Sequence, residues 1–310
     1  MSISSSQANI VGELFVRTAD ENYITARWCA MNQLHTDFAW LGVHALEKYL
    51  KAVLLYNGRQ AKKQGHDILK LYRGVTSIAG KHLPKKLVKP PELVIGHWFE
   101  RTPEGFLEHL YQNGNADNRY LIYGHDTRTE DLHMLDTLVF AIRRLICTLD
   151  DPLFDQAGMR PKTPIPSNRD VLLRQPEYCP HLFMPLDNLI RSKTDDSLRH
   201  AALNLNLAFA PADFTHTEMR GGDSGRVPVI LSRVLEPMKR DDTAQIREGL
   251  ETGRWLLKNV KLPGDGRTSS GVMREVHEAT VKAESRLGLS RRSAGLAHLH
   301  RLLRYLGLGK

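Results

Sequence analysis

His44, Glu47 and Lys51 recur at three- and four-residue spacing in "LGVHALEKYLKAVLL" (residues 41–55), and Gly65-His66-Asp67 follows in "QGHDILKLY". Residues three and four apart share one helix face, so an imidazole, a carboxylate and an ammonium fall in one stripe. On a solvated face the Glu47–Lys51 pair adds only about 0.2–0.5 kcal/mol. Inside a bundle the two must satisfy each other or nearby polar groups, because an isolated buried charge is strongly disfavoured. His66-Asp67 falls at a helix start, where Asp67 is suited to cap open backbone N–H groups and His66 to position Glu47 and Lys51 or to touch a substrate.

Other chemistry finds less support. "GGDSG" at 221–225 lacks the Lys-Ser or Lys-Thr continuation of a phosphate loop and reads as a turn, which weakens a nucleotide-binding reading. His216-x-Glu218 and His298-x-His300 have too few companions to hold a metal, and there is no His-Glu-x-x-His. Cys29, Cys147 and Cys179 are odd in number and far apart, as expected of small apolar fillers rather than a disulfide framework or zinc knuckle. Neither metal nor cofactor is expected.

The elements that must hold these residues read as helices. The Tyr23, Ala26, Ala30 spacing predicts a helix over 19–31, and Phe38, Leu41, Ala45, Tyr49 and Val53 predict one from a Thr36 or Asp37 cap to Leu55, ended by Asn57-Gly58. A third begins near His66 with Ile68, Leu69 and Tyr72 inward. The lysine- and proline-rich stretch around Pro90-Pro91 reads as a loop, and a further helix is expected within 92–112 around Phe106, Leu107 and Leu110. In 127–148, Thr127 and Glu130 suggest a capping box ahead of a stripe formed by Leu135, Leu138, Val139, Ile142, Leu145 and Ile146. Arg143 and Arg144 near its end suit the helix dipole or water, and Trp98 and Tyr120 suit stacking or, more cheaply, core packing. The expected fold is all-α or mainly α. It comprises an antiparallel helical bundle over 1–150, a linker or long structured loop over 151–169, and a mainly helical region of unassigned role over 170–310. Within the last, helices are expected near 196–209, 241–260 and 291–306, with "RVPVILSRVLEPM" a short strand or extended piece.

At 310 residues, with 41% hydrophobic and 25% charged, the chain is long enough for one large core or two modest ones and is not a disordered polymer. Its net charge of +8 favours a polyanionic partner such as nucleic acid. The first residues lack the pattern of a secretory signal and no run is apolar enough to span a bilayer, so the expected compartment is the cytoplasm, with no membrane partner.

The run "ARWCAMNQLHTDFAWLGVHALEKYLKAVLLYNG", then "GHDILKLY", then Arg119-Tyr120 before a long helix, resembles the HEPN superfamily over about residues 15–150. The resemblance implies a small antiparallel helical bundle, an RNA-related role in toxins, defence or RNA processing, and a homodimer. Catalytic members use an Arg followed after four to six residues by a His, and cleave RNA without a metal. Arg128 and His133 match with four residues between, and Arg119 and His125 match with five; Thr129 or Tyr120 replaces the polar residue usual after the Arg. Arg128 near a first helical turn offers a planar fork for phosphoryl oxygens beside open backbone N–H groups. His133 is suited to proton exchange near neutral pH, yet lies about 140° around an ideal helix from Arg128, so either the long Arg128 side chain bends partway back or, as the resemblance implies, a partner subunit supplies one member. Glu47, Lys51, His66 and Asp67 form the supporting polar cluster. The rival reading is a noncatalytic interaction or regulatory module in which the C-terminal region binds a protein partner.

Overall fold

The computed structural model describes residues 3–152, 166–194, 196–217, 222–260 and 271–289. The 291–306 helix expectation, most of the 151–169 linker, and Glu218, His298 and His300 lie outside these residues. The chain is mainly helical, and it forms two compact units: one of residues 1–115 and 126–224, the other of 116–125 and 225–310.

The first unit is built on α2 (Thr18–Met31) and α3 (His35–Tyr56). A short α1 (Ser5–Val11) and a wide helical turn (Gly12–Arg17) lead into α2. Along α3 apolar side chains are buried on several faces, among them Phe38, Val43, Leu46, Tyr49, Leu50 and Val53, so it runs through the middle of the unit. Full burial of each such leucine stabilises by about 1.5–3 kcal/mol. Its start differs from expectation: neither Thr36 nor Asp37 caps it, and the helix begins at His35 without a side-chain cap. α4 (Ile68–Ala79) is amphipathic, with Ile68, Leu71, Tyr72, Val75 and Ala79 buried. Asp67 caps it as expected, its Oδ1 accepting from Lys70 N at 2.9 Å. α5 (Pro103–Gly114) buries Phe106, Leu107 and Leu110 as expected, and Thr102 caps it with Pro103 in its first turn, leaving 92–102 non-helical. A Cβ on Gly114 would lie 2.2 Å from the Ala39 carbonyl oxygen, so only glycine permits this approach of α5 to α3.

α6 (Thr129–Arg143) supplies the expected buried stripe, but its cap is different. Asp131, not Glu130, turns back: its Oδ2 accepts from Arg128 N at 2.9 Å and lies 3.0 Å from His109 Nε2. Glu130 instead accepts from Phe99 N at 3.2 Å. Arg143 and Arg144 are buried rather than facing water, because each meets several acceptors. Arg143 contacts Asp20 at 3.2 Å and Asp187 at 2.8 Å, while Arg144 donates to the carbonyls of Leu172, Gln175 and Tyr178 at 2.7–2.8 Å.

Those bonds tie α7 (Asn168–Arg174) and α8 (Pro185–Arg191) into the unit, and α9 (Ser197–Leu203) joins it through Arg27, which donates to Ala201 O and Asn204 O. Arg27 also pairs with Asp136, to which Tyr23 OH donates at 2.7 Å, and Tyr49 OH donates to Asp20 at 2.5 Å. The pairs Asp20–Arg143 and Arg27–Asp136 join two seven-residue spacings in opposite directions, so α2 and α6 run antiparallel.

Strands β1 (His125–Thr127) and β2 (Ser224–Arg226) form a two-stranded sheet. In the second unit, Gly124 has φ +70°, and a Cβ there would meet Arg226 O at 2.0 Å. The stretch expected to be extended after Arg226 is helical from Val229 to Lys239, ending in α10 (Glu236–Lys239). It packs with α11 (Thr243–Asn259) and α12 (Gly271–Arg286) around Val234, Leu235, Met238, Ile246, Leu250 and Val276. No helix among the described residues is long and apolar enough to cross a membrane.

Candidate functional site

Two groups of side chains in the first unit have the chemistry to act. The first lies where α3 meets the loop before α4. Glu47 is only 6% exposed, and its Oε1 accepts from Lys51 Nζ at 2.6 Å and lies 2.9 Å from His66 Nδ1. His44 Nδ1 lies 4.0 Å from the other carboxylate oxygen and its ring stands edge-on to Trp40, with centroids 4.2 Å apart. The helix stripe and the Gly65-His66 turn therefore meet on one carboxylate. Gly65, at φ +61°, makes the turn possible. The His66 side chain is 87% exposed. A buried carboxylate thus orients an imidazole whose other nitrogen is directed away from that bond, an arrangement suited to proton transfer. Asp67, grouped with these residues by sequence, is committed to capping α4.

The surroundings are cationic. From Glu47 to Arg73 the basic residues are Lys48, Lys51, Arg59, Lys62, Lys63, Lys70 and Arg73 and the acidic ones Glu47 and Asp67, a net +5 out of the chain's +8. Arg59, Lys62, Lys70 and Arg73 are exposed.

The second group lies at the start of α6. Two of the backbone N–H groups expected to be open for phosphate are occupied: Asp131 takes Arg128 N, and Asp223 Oδ1 takes Thr129 N at 3.0 Å. "GGDSG" thus contributes a carboxylate rather than a phosphate cradle. Arg128 lies 3.5 Å from Asp126, and its guanidinium carbon is 5.0 Å from the Phe99 ring centroid, as is that of Arg101. Phe99 is 55% exposed. Trp98 packs partly buried against the core, as expected, and donates to Leu87 O at 3.2 Å, whereas Tyr120 is exposed instead of packed.

Arg128 and His133 are not brought to one surface within the chain. Arg128 lines a depression with Gln33, His35 and Phe38, whereas His133 lines a cleft of about 260 Å³ with Pro90, Glu92, Asp136 and Phe140. His133 is 4% exposed, and burial pushes its pKa down to about 4 against the opposing pull of the Asp136 carboxylate. At neutral pH it is uncharged. In the alternative pair, the Arg119 side chain lies outside the described residues and His125 is half-buried in β1.

The family model for the HEPN domain matches residues 13–99. This segment is similar to a HEPN domain. It contains Glu47, Lys51, His66 and Asp67, while both Arg–His pairs fall beyond the matched residues. No curated protein and no solved structure matches the chain. Sequence reasoning grouped the Glu47 residues because their spacing is local. It missed Phe99, Arg101 and Asp223, which reach α6 only through the folded chain. A pair of identical Asp-x6-Arg spacings, 20–27 and 136–143, was a readable sign of the buried charge pairs.

Proposed function

We propose that the HEPN domain binds RNA at the α3–α4 corner and cleaves it without a metal, with His66 as the proton-transfer group. The observation that carries this reading is the exposed imidazole held at 2.9 Å by a buried carboxylate inside a strongly basic segment. Cationic side chains bind the phosphate backbone in a sequence-independent, salt-sensitive way. His66 accepts the proton of a ribose 2′-hydroxyl as that oxygen attacks the neighbouring phosphorus and the P–O5′ bond breaks. The departing 5′ oxygen is protonated from solvent, to which His66 later returns its proton, leaving a 2′,3′-cyclic phosphate and a 5′-hydroxyl. Glu47 fixes the ring at 2.9 Å, and Lys51 pairs with Glu47 at 2.6 Å.

The test is cleavage of single-stranded RNA in excess chelator by the parent, His66→Ala, Arg128→Ala and His133→Ala, with folding checked by circular dichroism. The expected result is a loss of about a hundredfold for His66→Ala alone. Cleavage that survives in His66→Ala and is lost in His133→Ala and Arg128→Ala moves the chemistry to the Arg128–His133 pair. Binding without cleavage by any of the four leaves the interaction module as the function. The homodimer belongs to the same reading, and sedimentation velocity is expected to give twice the 35.1 kDa chain mass; a single species at the chain mass overturns that part.

A further inference from the structure

An exposed phenylalanine at which two guanidinium groups converge is a costly surface feature for a protein that does not use it. An exposed cation–π contact contributes about 0.5–1 kcal/mol, too little to account for leaving about half of a phenylalanine exposed. Phe99 is also firmly placed. Its N–H donates to Glu130 at 3.2 Å, and two residues on Arg101 accepts from Leu87 N at 2.9 Å, so the segment is pinned to α6 on one side and to residue 87 on the other. Arg101 Nε is buried without a hydrogen-bond partner among the described residues.

Phosphate is the wrong ligand for this face. The N–H of the cap residue Arg128 and that of Thr129, the first of α6, already serve Asp131 and Asp223, and Asp126 stands beside Arg128, so the carboxylates here repel a further anion. What the face offers instead is a half-exposed aromatic ring with two guanidinium groups against it, the kinds of group on which unstacked bases lie in RNA-binding proteins. We infer that Phe99, with Arg101 and Arg128, is a stacking platform for an unpaired nucleobase, so that the RNA taken by this protein is single-stranded. The inference rests on the RNA reading above and adds its substrate class.

The experiment is fluorescence anisotropy at fixed salt with a labelled 12-nucleotide uridine- and adenosine-containing single strand and a 12-base-pair RNA duplex, using the full chain, Phe99→Ala and Phe99→Trp. The parent is expected to prefer the single strand. Phe99→Ala is expected to lose about tenfold in single-strand affinity with duplex affinity unchanged, in line with the stacking contribution of one base. Phe99→Trp is expected to retain single-strand binding and to show indole quenching on addition of that strand, which a merely structural role would not produce. Phe99→Ala binding both forms as the parent does, or losing both equally, overturns the platform and leaves the α3–α4 reading intact. A parent that binds neither form overturns both.

Discussion

Replacing Arg143 with Met is expected to lower the stability of the first unit by about 3–5 kcal/mol, because removal of one member of a buried ion network leaves the others charged and unmatched. Asp20 and Asp187 flank this guanidinium at 3.2 and 2.8 Å, and both are buried. Burial opposes ionisation of the Asp187 carboxyl, yet the guanidinium outweighs it and holds the pKa below the ordinary range. Without Arg143, two carboxylates share a dry pocket in which Tyr49 OH and backbone N–H groups are their donors among the described residues. The measurement is the urea midpoint of the full chain followed by circular dichroism, beside hydrogen exchange of α2 and α6 amides. Arg143→Met with Asp20→Asn and Asp187→Asn is expected to recover much of the loss. A single variant as stable as the parent would show that the pocket is wet and the pairs dispensable.

The second large effect is acid sensitivity through His133. In the unfolded chain an imidazole titrates near its ordinary value of about 6.5, whereas in the folded chain that of His133 stays neutral down to about 4. Between these values the unfolded chain holds the additional proton, so stability increases with pH through that window. The contribution is fully present above about pH 6.5 and is lost as pH falls toward 4, amounting to about 3 kcal/mol. His82 and His216 are also held below their ordinary range, mainly by burial, and act in the same direction. The diagnostic quantity is therefore the difference between the parent and His133→Gln. Stability measured from pH 7 to 4.5 is expected to fall less steeply in the variant, and parallel curves would show that His133 opens to water in the native state. The Asp187–Arg143 pair does not confuse this window, since a carboxylate held down by its partner loses its contribution only below about pH 4.

The parts of this molecule legible in its sequence were those encoded by nearby residues. The α3 and α6 stripes follow a 3.6-residue period, Asp67 is a cap by type and position, and Glu47–Lys51 are a turn apart. The same locality explains the misses. Thr127 and Glu130 satisfy the spacing of a capping box, but Asp131 and Asp223 are the residues that take the N–H groups, and Asp223 comes from 94 residues away. Arg143 and Arg144 look like dipole-neutralising surface residues until α7 and α8 fold over them. The chemistry of the Arg128–His133 pattern is readable as letters, yet burial decides what an imidazole can do, and burial of His133 beside Asp136 and Leu207 is a property of the assembled unit.

The crossing of Asp20–Arg143 with Arg27–Asp136 has a consequence for how the chain finds its topology. Both helices carry the same order of signs along their length, acid first and base seven residues later. Were α6 to dock alongside α2 head to head, each carboxylate would confront a carboxylate and each guanidinium a guanidinium, in a setting too dry to screen either. The two salt bridges therefore act as a key for chain direction: they admit the docking in which opposite signs meet and penalise its mirror before side-chain fit is ever tested.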